Sequence, residues 1–318
     1  MAWNKSKLKS LTSLFKKESL PVHQKGFTSK EKAIFIGGCG RSGTTLLRII
    51  LGRHPLVWSG PELNVHANIL EAHYRRYPFL PKKAYLLYDE GVLTELASKF
   101  KVTKEEIVRI RDSSTSLPHF IDLLFSTLSR RSGKNRWIEK TPKNVADLDF
   151  IFTYFPEATF IHVIRDGRDV AASLRNHPKH FIVNGVAVPS LINRPIEESV
   201  GRWLSDVEAG RRFRGHPRYT EVRYEDLVKH PETVVSRLLG ILDLPPDQGL
   251  LSPDGKELVE VIHFLPSARA VEKINSESIG RWKKDISKDE ALYIEKMAGP
   301  LLRELNYITD SSWLKEYD

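Results

Sequence analysis

A single cysteine, Cys39, stands among 318 residues, so no disulfide can form within the chain. One cysteine and 11 scattered histidines also leave no metal-ligand spacing of the zinc type. No apolar run approaches the roughly 20 residues of a membrane-spanning helix. The N-terminus has neither a continuous apolar core nor a small-residue cleavage site, so a secretory leader is not expected. A reducing, cytoplasmic compartment is the expectation. Internal repeats are absent, as are low-complexity tracts after residue 32.

Charge of one sign is scarce too, once its position is considered. The chain carries 49 Lys and Arg against 40 Asp and Glu, a net +9. Residues 1–32 hold eight lysines against Glu18 and Glu31, which is +6 and leaves +3 for the other 286 residues. The globular part is therefore nearly balanced, and a nucleic-acid partner is not expected. The basic stretch reads as a flexible solvated tail. Leu8, Leu11 and Phe15 among its lysines would allow a peripheral contact with an anionic membrane. Residues 33–310 read as one domain and 311–318 as a C-terminal tail.

What is present is a large apolar fraction, 41%, arranged as alternating strands and helices. Ala33–Ile36, Val57–Ser59, Arg136–Glu139, Thr159–Ile164 and Tyr219–Arg223 read as strands. Thr44–Leu51, Glu197–Arg214, Pro231–Leu242 and Lys288–Leu305 read as helices, and a further helix begins at Val170–Leu174. Residues 64–130 are mainly helical in pattern, with an aromatic and basic cluster at His73, Tyr74, Arg75, Arg76, Tyr77 and Phe79; residues 177–195, with four prolines or glycines, read as a long loop. The alternation predicts an α/β, P-loop-like three-layer fold with a central parallel sheet flanked by helices. Ligands in such sheets bind at the carboxyl ends of the strands.

Two loops fall at such ends. Residues 38–45 read Gly-Cys-Gly-Arg-Ser-Gly-Thr-Thr. Gly38, Gly43 and Thr45 match the phosphate-loop spacing G-x-x-x-x-G-K-[ST], but Thr44 stands where the lysine belongs. The glycines let the backbone wrap an anion, the following helix points free N–H groups at it, and Arg41 adds a fixed planar cation. A nucleoside triphosphatase needs that lysine and a Mg²⁺ ion; keeping the cradle without the lysine suggests another anion and no metal. Further on, Arg165 leaves a strand end and Ser173 lies in the first turns of the next helix, where both can reach one anion.

Gly40-Arg41-Ser42-Gly43-Thr44-Thr45-Leu46-Leu47 resembles the 5′-phosphosulfate loop of the sulfotransferases that use 3′-phosphoadenosine 5′-phosphosulfate (PAPS), of the tyrosylprotein and carbohydrate type. The Arg165–Ser173 stretch resembles that family's 3′-phosphate motif. Glu139-Lys140-Thr141-Pro142 resembles its lysine-containing loop, and Val222–Leu227 its next strand–helix junction, where Tyr224 would border the nucleotide. Ser278-Ile279-Gly280-Arg281-Trp282-Lys283 resembles its late loop, which returns over the 3′-phosphate and adenosine. The likeness spans roughly residues 33–305.

The resemblance implies transfer of a sulfuryl group from PAPS to an acceptor hydroxyl, with 3′,5′-ADP as product and no metal. Arg41 and Lys140 are candidates for the bridging and sulfuryl oxygens. Thr44, Thr45 and the helix N-terminus would hold the 5′-phosphate. The candidate base is Glu62, 21 residues after Arg41, the offset at which tyrosylprotein sulfotransferases carry a catalytic glutamate. His66 and His54 are fallbacks, although His54-Pro55 reads more naturally as a helix end. Phenol or tyrosine, sugar and lipid headgroup all remain open as acceptors, and nothing bears on oligomeric state. Two rival readings stay in view: a metal-dependent kinase or nucleoside triphosphatase, and a binding protein that has lost catalysis.

Overall fold

The computed structural model describes residues 20–23, 26–64, 85–176, 180–183, 186–189, 194–251 and 278–317. Its strands are β1 (Ile34–Gly37), β2 (Val57–Ser59), β3 (Arg136–Lys140), β4 (Thr159–Ile164), a separate antiparallel pair β5 (His180–Val183) and β6 (Val186–Pro189), and β7 (Tyr219–Arg223). The main sheet is parallel throughout, in the order β2-β3-β1-β4-β7. Its helices are α1 (Thr44–Gly52), α2 (Glu90–Phe100), α3 (Lys104–Asp112), α4 (Leu117–Arg131), α5 (Leu148–Tyr154), α6 (Gly167–Arg175), α7 (Ile196–Arg211), α8 (Tyr224–Lys229), α9 (Pro231–Ile241), α10 (Trp282–Asp285) and α11 (Lys288–Glu304). This is the P-loop-like α/β fold expected from the sequence.

Side chains along β1 alternate between two cores, as a pleated strand requires. Phe35 joins Trp137, Phe160 and the apolar faces of α2–α5, whereas Ile34 and Ile36 join Ile138, Ile161, α1 and α9 on the opposite face. A third cluster packs α6, α7 and α11 around Trp203, Trp282 and Trp313. Because β1 is central, the chain leaves it toward β2 and β3 on one side and returns to β4 and β7 on the other. The carboxyl ends of β3, β1 and β4 therefore meet at a topological switch point, where an open α/β sheet leaves a crevice.

Three expectations change. Leu20 and Val22 are buried in the same core as Phe35. The Leu117 N–H donates to the Pro21 carbonyl at 2.8 Å and the Ser29 N–H to that of Tyr154 at 2.7 Å, so the expected tail through residue 32 has become packed chain by Leu20. Ser311–Tyr317 forms a 3₁₀ turn rather than a tail: Trp313 packs edge-on against Trp282 and donates its Nε1–H to Glu295 at 2.7 Å. The loop expected over 177–195 contains the β5–β6 pair. Helix α5, under two turns long, was not legible in the sequence, whereas α8 follows β7 at the strand–helix junction expected over Val222–Leu227. The aromatic and basic cluster at 73–79 and the fallback base His66 lie outside the described residues.

Candidate active site

The first loop leaves β1 at Gly38 and enters α1 at Thr44. Its backbone is forced: Gly38 (φ 145°), Arg41 (φ 73°) and Gly43 (φ 93°) all lie at positive φ. For a non-glycine residue such as Arg41 that conformation costs about 1–3 kcal/mol, a strain that clusters where ligands are held. A Cβ on Gly43 would run into the Tyr224 ring, and one on Gly38 into the Val163 carbonyl. Glycine is needed at both because strand-end groups crowd the loop from behind. Ser42 and Thr44 are buried within it, and no described group partners the Ser42 hydroxyl.

On the β4 side of this loop stand the groups expected to hold an anion. Arg165 follows β4 directly; its Nη1 donates to the Arg41 carbonyl at 3.1 Å, its Nη2 to the Ser278 carbonyl, and its guanidinium lies 4.4 Å from the Tyr224 ring centroid. No described group partners its buried Nε. Arg41 Nε donates to Ser173 Oγ at 3.1 Å. Burial, with Arg165 and Arg281 nearby, pushes the Arg41 guanidinium below its ordinary pKa, a strain that an anion would relieve. The late loop is tied to the same place: the Asp169 carboxylate accepts the Gly280 N–H at 2.9 Å and the Trp282 N–H at 3.0 Å. Arg165, Ser173, Tyr224, Ser278 and Gly280 are thus brought together with Arg41, as the sequence led one to expect, and Arg281 sits within electrostatic reach. Asp169, the anchor of the late loop, was missed. Its signal was the i, i+4 spacing from Arg165, to which it lies 3.8 Å away.

The β3 side differs. Lys140, 1% exposed, ends β3 facing α1; its Nζ donates to Thr45 Oγ1 at 3.0 Å and pairs with Glu62. Burial lowers the Lys140 pKa and the adjacent Glu62 opposes that shift. Glu62, about one third exposed, receives a second hydrogen bond from Asn64 Nδ2 at 3.2 Å. One expectation needs correcting here. Arg41, expected beside Lys140 at the sulfuryl oxygens, turns its guanidinium to Ser173 on the other side. The cation found near Lys140 and Glu62 is Arg48, buried and electrostatically coupled to both. The sequence signal for Arg48 was a charge in the middle of the apolar run Leu46–Leu51. The fallback His54 is fully buried, with Leu56 N–H on its Nδ1 at 3.2 Å and the Pro245 carbonyl 3.0 Å from its Nε2. One nitrogen serves the turn that ends α1 and the other ties it to the segment after α9, so His54 is structural.

A family model described as "Sulfotransferase family" matches residues 33–248, from the residue before β1 to the chain just past α9. The chain belongs to the sulfotransferase family. Membership fixes the enzyme class that the two loops suggested, a PAPS-dependent sulfotransferase. Among curated relatives, protein-tyrosine sulfotransferase A of Caenorhabditis elegans is 26% identical over 91% of this chain and 73% of its own length. The protein-tyrosine sulfotransferase of Drosophila melanogaster is 26% identical over 86% of this chain, but the match spans only 51% of the fly protein. The nodulation protein NoeE of Sinorhizobium fredii is 27% identical over 86% of this chain and 65% of its own length. Two solved structures share the fold, each with a TM-score of 0.56. They are the sulfotransferase domain of the Synechococcus olefin synthase (23% identity, 85% of this chain and 92% of that one) and that of the curacin biosynthetic pathway (19%, 86% and 99%).

Proposed function

We propose that this sulfotransferase moves the sulfuryl group of PAPS to a phenolic hydroxyl, with Glu62 as general base. The observation that carries the reading is the division of the cleft. A cluster able to take the nucleotide's 3′-phosphate (Arg165, Ser173, Arg41) lies on the β4 side of the glycine loop. A carboxylate–lysine pair (Glu62, Lys140) lies on its β3 side. The donor's 5′-phosphosulfate would rest on the loop between them, against Thr44, Thr45 and the N-terminus of α1.

The acceptor oxygen attacks sulfur in line with the bond to the bridging phosphate oxygen. As the new S–O bond forms and the old one breaks, the electron pair leaves with the 5′-phosphate of 3′,5′-ADP. The acceptor proton passes to Glu62. Lys140, held at Thr45, places its charge where the bridging oxygen becomes negative. Arg41 ties the two phosphate sites together, its carbonyl on Arg165 and its side chain on Ser173. A phenol has a pKa near 10, so it yields its proton to a carboxylate far more readily than a sugar hydroxyl does. The names of the worm and fly relatives support the same acceptor class.

Nucleotide selectivity tests the donor assignment. 3′,5′-ADP should raise the melting temperature with EDTA present, adding about 2.7 kcal/mol at 100 times Kd. A larger rise with ATP·Mg²⁺ would favour the kinase reading instead.

A further inference from the structure

Arg48 makes none of the donor-side contacts described above, yet it is only 7% exposed. It lies three residues after Thr45 on α1, one turn along the same face, and reaches across to the chain just beyond β2. Its Nη1 donates to the Gly60 carbonyl at 2.8 Å and to Ser59 Oγ at 3.4 Å, while no described group partners its Nε. Glu139, fully buried on β3, meets the same stretch further along. Its Oε1 accepts the Leu63 N–H at 3.2 Å and the Thr141 hydroxyl at 2.6 Å, and its Oε2 takes Asn144. Thr141 Oγ1 in turn takes the Asn64 N–H at 3.4 Å. Asn64 sits at φ 53°, a left-handed turn that asparagine tolerates and that brings its amide back onto Glu62 Oε2.

The segment Gly60–Asn64 is therefore gripped at both ends by buried, oppositely charged side chains, and Glu62 is the residue it presents. Pro61 has a fixed φ, so movement at the Gly60 carbonyl passes to Glu62 instead of being absorbed. An apolar side chain at position 48 would seat α1 without burying a guanidinium, which is costly unless paired. The Coulombic pull of Glu62 and Glu139 on Arg48 opposes that burial.

We propose that Arg48 and Glu139 form a buried clamp that positions Glu62 for proton abstraction. This rests on Glu62 being the base. Lys140 pairs with Glu62 from β3, and Arg48 on α1 is electrostatically coupled to it.

The test is kinetics of Arg48→Met and Arg48→Lys with labelled PAPS and a tyrosine peptide or p-nitrophenol, beside Glu62→Gln. Affinity for 3′,5′-ADP and melting temperature are measured on each variant. Arg48→Met should lower kcat about 10–100-fold, the loss that a small misplacement produces, with 3′,5′-ADP affinity within about twofold. KM for the acceptor should change much less than kcat, because the clamp places the base and does not hold the substrate. Arg48→Lys keeps the charge and loses the planar fork, so it should recover only part of the kcat lost in Arg48→Met; it carries the test if the Met variant does not fold. If Glu62→Gln is inactive but Arg48→Met keeps its kcat and only melts lower, Arg48 is structural and the clamp is wrong. Full turnover in Glu62→Gln would overturn the base reading itself, and the clamp with it.

Discussion

Around Arg165 the cleft is held by main chain and aromatic faces; around Glu62 it is held by buried charge. Arg165 gives its hydrogen bonds to two carbonyls, lies over Tyr224, and shares the Asp169 carboxylate with two backbone N–H groups of the late loop. Glu62 is instead bracketed by Lys140, Asn64 and the Arg48–Glu139 pair. The difference follows from what each region must bind. A phosphate brings its own charge, so cations can converge there with capacity to spare. A base must have its charge supplied and balanced by the protein before substrate arrives. The first region should therefore govern affinity and the second turnover.

Glu62→Gln is the largest break in that division. The substitution keeps the size and removes the proton-accepting charge. Turnover should fall about 10²–10⁴-fold, the range for losing a general base, while 3′,5′-ADP titration stays near wild type. Lost nucleotide binding would make Glu62 part of the donor site and collapse the comparison.

Arg165→Ala should break the other side. Charge-assisted hydrogen bonds contribute about 1.5–3 kcal/mol each, so 3′,5′-ADP affinity should drop on the order of 10–100-fold, measured by calorimetry. Affinity for 5′-AMP, which lacks the 3′-phosphate, should change little, and Ser173→Ala should act the same way but more weakly. Equal weakening for both nucleotides would mean that Arg165 does not read the 3′-phosphate.

Asp169→Asn sharpens the comparison by a smaller step. It leaves the phosphate contacts in place and weakens the anchor of Gly280 and Trp282. A several-fold loss of 3′,5′-ADP affinity should follow, with kcat at saturating donor nearly unchanged. A drop in kcat alone would assign the late loop to the chemistry.

The two regions were also unequally legible in the sequence. The donor side could be read because its residues lie in short local patterns: a glycine loop between strand and helix, and an arginine eight residues before a serine. The strands β1 and β4 were readable for a similar reason, each being a compact apolar or β-branched run. On the base side only Glu62 and Lys140 could be named. Arg48 and Asn64 act through contacts that depend on how α1, β3 and the segment after β2 meet, and no local spacing encodes that. The same reason hid Leu20, Val22 and Trp313, apolar anchors within charged or polar stretches. The β5–β6 pair did carry a local signal, Asn184-Gly185 between apolar and β-branched residues, a dipeptide favoured in tight hairpins.

The central claim, sulfuryl transfer from PAPS to a phenolic hydroxyl, is tested most directly by following the label. The wild-type protein is incubated with ³⁵S-labelled PAPS and a tyrosine peptide or p-nitrophenol in EDTA, and both products are counted. The account requires label on the phenolic oxygen and 3′,5′-ADP in equal amount, with both lost together in Glu62→Gln. Label released only as inorganic sulfate, or an acceptor phosphorylated from ATP·Mg²⁺ in a parallel reaction while PAPS goes unused, would contradict it.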